Sequence, residues 1–433
     1  MAEETPLLPP HDNDDAALGT RWNAHGRITP KRVAVAFVSL LVLGAAVAGA
    51  VFTVKNQEPK DPLKKAKFYL KKSPVIDGHI DLPEVARLVY GNDLNKFDLN
   101  KPTAGHVDIP RLRSGHLGGF FWSIAVECLA DGGNDFLTPS VEVRDTLEQF
   151  DVANNLIDRY SDTFARVRTA DEVEAAWKQG KVASLFGLEG GHSLGNSLGV
   201  LRMYHRLGIR YMTLTHSCNN AFADSGGYFW DAEEQWGGLS PFGRELIPEM
   251  NRLGIFVDIS HVSDKTALQA LELTEAPVIF SHSDARHLHN ISRNAPDELL
   301  TKIGDGEGKN DGVIMVNFFP VLASANPEEV DVSFIADEVE YIAEKAGKNH
   351  VGIGSDYDGV ASTPKGLEDV STYPHLFAEL IKRGWSQSEL AGLASGNVLR
   401  ALRGVESVSM KLKTRGPSMA KYEKRTDSDG QQP

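Results

Sequence analysis

Residues 182–216 read VASLFGLEGGHSLGNSLGVLRMYHRLGIRYMTLTH and contain two short apolar runs separated by a longer stretch. The runs, residues 182–190 and 209–216, have the length and composition of buried strands. Two such runs around a longer interval are the pattern of a strand, a crossover helix and a parallel strand. Each run ends in polar residues, with Glu189 near the end of the first and His216 closing the second. The stretch therefore predicts a βα unit with chemistry at its strand ends.

The same alternation recurs through residues 73–405, where eight apolar runs can be counted. Eight βα units in about 330 residues favour a closed (β/α)8 barrel of the TIM type over an open doubly wound α/β sheet. The intervals support this fold, because residues 143–159 and 334–346 place apolar side chains at near-helical spacing among charged ones. The runs begin at Pro74, Gly118, Val182, Ile209, Gly254, Pro277, Gly312 and His350.

An uncharged stretch, VAVAFVSLLVLGAAVAGAVFTV, occupies residues 33–54 and is long enough as a helix to cross roughly 30 Å of hydrocarbon. It predicts a transmembrane signal-anchor helix embedded in a lipid bilayer, because a cleaved signal peptide has a shorter apolar core nearer the start of the chain. A buried core helix is the alternative. Basic residues flank the stretch on both sides, so charge decides little about orientation, and we expect the short N-terminal tail to lie inside.

The remaining composition limits the domain organisation and the partners. Residues 1–32 and 406–433 are polar and are predicted to be disordered tails, with residues 55–72 as a linker before the barrel. A net charge of -14 without a basic stripe argues against a nucleic-acid partner and favours small molecules. Cys128 and Cys218 lack the CxxC spacing of a structural zinc site, and their number alone leaves one disulfide and two free thiols equally open.

Polar side chains recur where the predicted strands end, and in a barrel those ends form one rim where catalytic groups gather. His79 and Asp81 close the first run two positions apart, so both point to one face of an extended chain. Imidazoles and carboxylates on one rim predict a metal site. Nitrogen and oxygen ligands without thiolate suit zinc, with manganese or cobalt as alternatives. The rim residues are His79, Asp81, Glu189, His216, His261, His282 and Asp356.

Each rim residue also has a simpler interpretation when it is taken alone. A histidine such as His216 or His282 is more often hydrogen-bonded in a core than bound to metal. Asp81 or Asp356 could cap the helix that follows its strand. Glu189 is harder to explain, because an unpaired carboxylate is costly to bury unless it is neutralised. The coincidence of these residues at strand ends favours the metal site. Histidines that do not end a strand are predicted to be structural or supporting, namely His106, His116, His192, His287 and His289.

At these residues the sequence resembles the membrane dipeptidase (renal dipeptidase) family of zinc metallopeptidases. The resemblance runs from about residue 74 to about residue 402. It implies a metalloprotease with a (β/α)8 fold that binds two zinc ions per subunit and hydrolyses dipeptides, and it implies a homodimer. The motifs that carry it, in family order, are DGHIDLP, GLEGGHSLG, LTHSCNN, VDISHVS, VIFSHSDAR, SRNAPDE and GIGSDYDG.

The resemblance implies a role for each metal-site residue. One zinc is expected at His79 and Asp81, and the second at His261 and His282. Glu189 is expected to bridge the two ions. The reaction that follows is attack on the peptide carbonyl by a metal-bridging hydroxide.

Further residues are assigned in the same way. His216 matches the histidine that contacts the substrate and its tetrahedral intermediate, Arg293 matches the arginine that holds the substrate carboxylate, and Asp356 matches the acid/base aspartate. Cys128 and Cys218 match a disulfide pair, which implies an extracytoplasmic barrel, lumenal or at the cell surface, on a single-pass type II membrane protein. The ends of the chain depart from the family, because well-known animal members use a C-terminal lipid anchor and this chain has a polar C-terminus.

Two other functions remain as alternatives. A different barrel hydrolase, such as a deaminase or a phosphotriesterase, would typically show His-x-His on the first strand and often a carbamylated lysine bridge. This chain has His79-x-Asp81 there and Glu189 at the bridging position. A catalytically silent binding protein that kept the fold would be expected to have lost metal residues, and none of the expected ligands is missing.

Overall fold

The computed structural model describes residues 31, 34, 35, 37–43, 58–128, 136–137, 141–228 and 232–425. The chain divides into two compact units, residues 1–58 and residues 59–433. In the first unit the described residues between 34 and 43 are helical and exposed. No helix among the described residues is long and apolar enough to cross a membrane. Most of the predicted transmembrane segment at 33–54, and all of the 1–32 tail except Lys31, lie outside the described residues.

The second unit is a closed barrel of eight parallel strands, which confirms the predicted fold. Around the barrel the strands follow the order β1, β2, β4, β5, β6, β7, β8, β9 and return to β1. A short additional strand, β3, pairs with the first half of β4 and is not anticipated by the sequence pattern. The strands are β1 Val75–Ile80, β2 Leu117–Ala125, β3 Phe164–Arg166, β4 Val182–Glu189, β5 Ile209–Thr213, β6 Phe256–Asp258, β7 Ile279–Phe280, β8 Val313–Val316 and β9 Val351–Ile353.

Helices connect the strands and begin at residues whose side chains satisfy free backbone N–H groups. Thr169, Ser240 and Ser263 each accept a hydrogen bond from the backbone N–H three residues later. The two helices predicted from periodicity are present with slightly earlier starts, at Glu142 and Val332. The α-helices are Pro62–Leu70, Leu82–Leu88, Ile109–Ser114, Glu142–Arg159, Ala170–Lys178, Leu198–Leu207, Pro241–Leu253, Asp264–Leu273, Asp297–Leu300, Pro320–Ala323, Val332–Ala346, Tyr373–Lys382, Gln387–Ala391 and Asn397–Leu412.

The C-terminal helix Asn397–Leu412 covers the end of the barrel where the strands begin. Its buried Leu399 and Leu402 belong to the same apolar cluster as Ile76 and Leu185, which lie on strands. The Asn397 side-chain amide donates hydrogen bonds to backbone carbonyls at the start of β9 and just before it. Because this end is filled, the opposite rim, where the strands end, is the one that remains for a site.

Packed helices and a buried side chain lie in the segments predicted as linker and tail. The predicted linker at 55–72 contains the helix Pro62–Leu70, whose Ala66 and Leu70 are buried. The predicted barrel end at 405 lies inside the C-terminal helix, and the predicted disordered tail contains Tyr422, which is buried with its ring 5.8 Å from that of Phe242. A few buried apolar side chains hold these segments against the barrel. Because most residues of the segments are polar, their average composition does not reveal this packing. Residues 426–433 lie outside the described residues.

Candidate metal centre and active site

The seven rim residues predicted from sequence all lie at the carboxyl ends of strands. His79 is the second-last residue of β1, Asp81 is the first residue after that strand, and Glu189 is the last residue of β4. The other four come two or three residues after β5, β6, β7 and β9 end, and they are His216, His261, His282 and Asp356. The barrel thus brings together side chains that are far apart in sequence.

Glu189 stands between two groups of ligand atoms and offers a different oxygen to each. On one side, His79 Nε2 lies 3.2 Å from Asp81 Oδ2 and 3.5 Å from Glu189 Oε2. On the other side, Glu189 Oε1 lies 3.2 Å from His261 Nε2 and 3.5 Å from His282 Nε2, and these two nitrogens are 2.9 Å apart. Each group could hold one ion, so the arrangement fits two cations bridged by one carboxylate.

Two of the three histidine rings, those of His79 and His282, are oriented by hydrogen bonds at their far nitrogens, whereas His261 Nδ1 has no hydrogen-bond partner among the described residues. His79 Nδ1 lies 2.7 Å from the Tyr211 hydroxyl. His282 Nδ1 lies 2.8 Å from Ser281 Oγ, which donates its own proton to Asp258 Oδ2 at 2.7 Å. Because the serine proton is used there, Ser281 accepts from His282 Nδ1–H, and the lone pair of His282 is on Nε2, facing the cluster.

The charge states of Glu189, His261 and His282 suit metal binding, which requires neutral imidazole and ionised carboxylate. Burial, together with the charge of Arg293, holds the pKa values of His261 and His282 well below the usual range. Burial alone would raise the pKa of Glu189, but neighbouring histidines, His79 foremost, hold it well below its usual value. Burial alone would lower the pKa of His79, but Tyr211, Asp81 and Glu189 together raise it well above its usual value. A bound cation would compete with the proton on His79.

Unsatisfied buried atoms also indicate that the residues fit a metal. Asp81 Oδ1 is buried and has no hydrogen-bond partner among the described residues, a state that normally costs roughly 1–3 kcal/mol. His79 Nε2 is also buried without a hydrogen bond, and its close neighbours are the carboxylate oxygens of Asp81 and Glu189. Asp81 precedes the helix Leu82–Leu88, but its side chain makes no capping hydrogen bond, which removes the simpler interpretation of that residue. Three imidazoles and two carboxylates form a donor set that suits zinc.

Two further rim residues lie beside the cluster. The His216 ring is 4.8 Å from that of His261, centroid to centroid. Asp356 Oδ1 lies 4.0 Å from His79 Nε2, and Asp356 Oδ2 accepts a hydrogen bond of 3.0 Å from Asn317 Nδ2. Burial raises the pKa of Asp356 to about 7, with help from nearby carboxylates and against the charge of His79. A carboxyl group with such a pKa can both accept and donate a proton near neutral pH.

Arg293 sits behind the cluster in the loop after β7 and is 3% exposed. Its Nη2 donates to the His282 carbonyl at 2.9 Å and its Nη1 to Ser283 Oγ at 3.3 Å, while its buried Nε has no partner among the described residues. Arg293 does not itself line the rim cavity. That cavity has a volume of about 280 Å³ and is lined by Asp81, Glu84, Ala125, Val126, Glu127, Glu189, His216, Ser217, Tyr228, His261, His282, Asp356 and Gly359.

Cys128 and Cys218 form a disulfide, which confirms the pairing implied by the resemblance. The bridge joins the segments that follow β2 and β5. Cys128 Sγ lies 3.8 Å from His216 Nδ1, so the bridge is in direct contact with a rim histidine. It therefore restrains the segments after β2 and β5, which lie beyond the hydrogen-bonded part of these strands.

Two buried aspartates beneath the rim were missed by the sequence reasoning. Asp77 accepts hydrogen bonds from the backbone N–H groups of His79 and Ser355, and so ties the end of β1 to the residues after β9. Asp258 does the same between β6 and β7, accepting from the N–H groups of Ser260 and Ser281. A carboxylate inside an apolar run, as in VIDGHI, is the signal that could have found them.

The histidines predicted to be structural or supporting lie outside the cluster. His192 and His289 pair with backbone carbonyls, and a backbone N–H donates to His106 Nδ1. The His287 ring stacks on that of Tyr341, and His116 lies just before β2, at the opposite end of the barrel. None of the five belongs to the two groups of ligand atoms around Glu189.

Comparison with known proteins gives consistent results. A family model described as membrane dipeptidase, peptidase family M19, matches residues 63–416. An uncharacterised dipeptidase of Schizosaccharomyces pombe is 40% identical over 385 residues, which cover 88% of this chain and 92% of that protein. Among solved structures, the probable dipeptidase PvdM of Pseudomonas aeruginosa matches with a TM-score of 0.71 at 23% identity, over 81% of this chain and 100% of that one. A metallopeptidase of Rhodobacter sphaeroides, liganded with a phosphinate mimic of the dipeptide L-Ala-D-Ala, matches with a TM-score of 0.66 at 25% identity, over 77% of this chain and 99% of that one.

Proposed function

Because the chain belongs to the membrane dipeptidase family and is a metallo-dipeptidase, we propose that its rim residues hold two zinc ions with which it hydrolyses the peptide bond of dipeptides. One zinc would be held by His79 and Asp81, and the other by His261 and His282. The observation that carries the proposal is the position of Glu189, whose two carboxylate oxygens face the two groups separately. A carboxylate in that position can bridge two ions.

The residues around the metal groups supply the remaining steps. Two bound zinc ions lower the pKa of a water molecule and polarise the scissile carbonyl. Asp356, whose pKa is about 7, accepts a proton from the attacking water and delivers it to the leaving amine. His216 donates a hydrogen bond to the oxygen that becomes negatively charged on the carbonyl. Glu189 stays ionised throughout, since its pKa lies well below the usual range.

Arg293 is proposed to hold the carboxylate of the substrate's C-terminal residue. Its support is the resemblance, together with a buried guanidinium whose Nε lacks a partner among the described residues. A guanidinium can bind a carboxylate through two parallel hydrogen bonds. The small rim cavity and the dipeptide mimic held by the Rhodobacter relative agree with a short substrate. A longer peptide would place a neutral amide where this charge is needed.

Amidation of the dipeptide carboxylate is expected to weaken catalysis strongly. Loss of one buried charge pair should lower kcat/KM by at least about thirtyfold, which corresponds to roughly 2 kcal/mol. The measurement compares Ala-Ala with Ala-Ala-amide for the wild type and for Arg293→Met. The variant should lose activity on the free acid and show little difference between the two substrates. Equal turnover of acid and amide by the wild type would remove the carboxylate clamp.

We propose further that residues 33–54 anchor the chain in a bilayer, in type II orientation, with the barrel extracytoplasmic. The uncharged stretch supports the anchor. The disulfide supports the location of the barrel, because such bridges persist mainly in oxidising compartments. The homodimer implied by the resemblance stays a prediction, which the mass in solution tests against the 47.3 kDa of one chain.

The redox state of the cysteines in cells tests this location. In cells quenched with acid, Cys128 and Cys218 are expected to resist a maleimide reagent until they are reduced. A variant without residues 1–57 should stay in the cytosol with both thiols reactive. Reactive thiols in the full-length protein would contradict an extracytoplasmic barrel. The truncated chain is the matched control, since it keeps every cysteine of the protein.

A further inference from the structure

A second, smaller cavity adjoins the rim cavity on the side of β1 and β2. We call it the side pocket; Glu84, Ala125, Val126 and Glu127 line both cavities. The side pocket is rich in carboxyl groups, because four of its lining residues carry one and the basic residue of its lining is Arg87. It is lined by Glu84, Arg87, Leu88, Ala125, Val126, Glu127, Val141, Glu142, Asp145 and Gln149.

The positive charge in the side pocket is already paired. Arg87 Nη2 lies 2.8 Å from Asp145 Oδ2, and Arg87 Nη1 lies 3.4 Å from Glu148 Oε2 outside the pocket. Glu84 makes no hydrogen bond or ion pair with a described residue. Burial, with Asp81, Glu189 and Glu127 nearby, raises the pKa of its carboxyl group to about 8, and a cation beside it would favour the ionised form. The shared wall therefore holds two carboxyl groups, Glu84 and Glu127, with no cationic side chain among its own residues.

Gln149 provides an independent indication that a ligand enters the side pocket. It projects from the helix Glu142–Arg159, is 0% exposed and lines the pocket. Neither its Nε2 nor its Oε1 has a hydrogen-bond partner among the described residues. An amide left unpaired in a protein interior is unfavourable, and an entering polar group would satisfy it. Its carbonyl oxygen can accept a hydrogen bond from a cationic head group.

The position of the side pocket indicates which part of a dipeptide can reach it. Around the barrel, β2 stands four strands from β7 in either direction and therefore faces it across the rim. Glu127 follows β2, whereas Arg293 lies in the loop after β7. A substrate whose carboxylate points towards Arg293, with its carbonyl beside Glu189, directs its N-terminal residue towards the side pocket.

We propose that the side pocket binds the side chain of the substrate's N-terminal residue and selects dipeptides in which that side chain is a cation. Ala125, Val126 and Leu88 offer apolar surface to its methylene groups. Glu84 and Glu127 offset its charge, and the Gln149 amide accepts a hydrogen bond from its head group. The proposal rests on the dipeptidase function proposed above and specifies its substrate class.

The test uses the full-length zinc-loaded protein and two substrates that differ in one charge. Lysyl-alanine carries a side-chain ammonium, and norleucyl-alanine has an aliphatic side chain of similar length without it. The wild type is expected to favour lysyl-alanine by at least about tenfold in kcat/KM, the effect of one close charge pair. The ratio should approach one in Glu84→Gln and in Glu127→Gln. The matched control is Asp151→Asn, an exposed carboxylate on the Gln149 helix, which should keep the wild-type ratio.

Each outcome separates this proposal from the proposed function. Hydrolysis of neither dipeptide by the wild type would overturn the dipeptidase function and this proposal with it. Equal hydrolysis of both would overturn only the side pocket. An equal loss on both substrates in Glu84→Gln, with the ratio retained, would show that the carboxylates hold the α-ammonium, and would overturn side-chain selection. An equally large preference for alanyl-lysine over alanyl-norleucine would show that the cation is recognised on the C-terminal residue of the substrate. That result would also contradict the proposal.

Discussion

Replacing Glu189 by glutamine is expected to lower kcat for dipeptides by at least about a thousandfold. The substitution keeps the shape of the side chain and removes its charge, so one oxygen is no longer a good ligand. Loss of a bridged pair of ions removes several kcal/mol of transition-state stabilisation, and about 4 kcal/mol corresponds to a thousandfold. Steady-state kinetics on a panel of dipeptides at saturating zinc measures the effect.

The control for this variant is Glu329→Gln, the same chemical change at an exposed residue in the turn Pro327–Glu329. It should retain full activity. Thermal unfolding without added zinc shows whether the barrel of Glu189→Gln is intact. The lowered pKa of Glu189 shows that neighbouring histidines stabilise its charge, so the metal-free variant is expected to be less stable than the metal-free wild type but still to unfold cooperatively. Full activity in Glu189→Gln would refute the bridging role.

Replacing Asp356 by asparagine is expected to lower kcat by about a hundredfold to ten-thousandfold, the range that general acid–base groups contribute. The loss has a signature in the pH profile. Below its pKa, which is about 7 without metal and lower when zinc is bound, Asp356 is protonated and cannot accept a proton. In the wild type, kcat/KM should therefore decrease as the pH falls below the pKa of Asp356 in the zinc-bound enzyme. The pH profile of Asp356→Asn should lack this decrease on the acid side.

Zinc content is the internal control for Asp356→Asn, because we do not place this residue among the metal ligands. The variant should bind as much zinc as the wild type although its kcat is much lower. If kcat/KM of Asp356→Asn decreased at low pH as it does in the wild type, another group would accept the proton, and His216 would be the next candidate. If zinc were lost together with activity, Asp356 would be a ligand and its assignment would change.

The sequence predicted the barrel and the rim well because both depend on local patterns. Each strand is a short apolar run. A run that ends in His79 or Glu189 places that side chain on the rim, because the strand ends form the rim whatever the length of the loops. The distance between Glu189 and His261 follows from closure of the barrel. The length of each loop did not need to be known.

Features that depend on loops and on contacts far apart in sequence could not be predicted. Gln149 lines the side pocket only because its helix docks against β2 and the helix Leu82–Leu88, and nothing in its sequence neighbourhood distinguishes it from a surface glutamine. The buried position of Tyr422 depends on Phe242 and lies in a segment that is polar on average. Arg293 was assigned from the resemblance, and spacing alone would not connect it with a site residue such as Asp81.

The central claim is that two zinc ions lie on either side of Glu189, and crystals of the active protein measured at the zinc absorption edge test it most directly. We predict two anomalous peaks in the wild type, one beside His79 and Asp81 and one beside His261 and His282, each roughly 2.0–2.2 Å from its nitrogen and oxygen ligands. In Glu189→Gln at least one peak should be lost or weakened. A single peak in crystals of fully active enzyme, or two peaks that do not flank Glu189, would contradict the account.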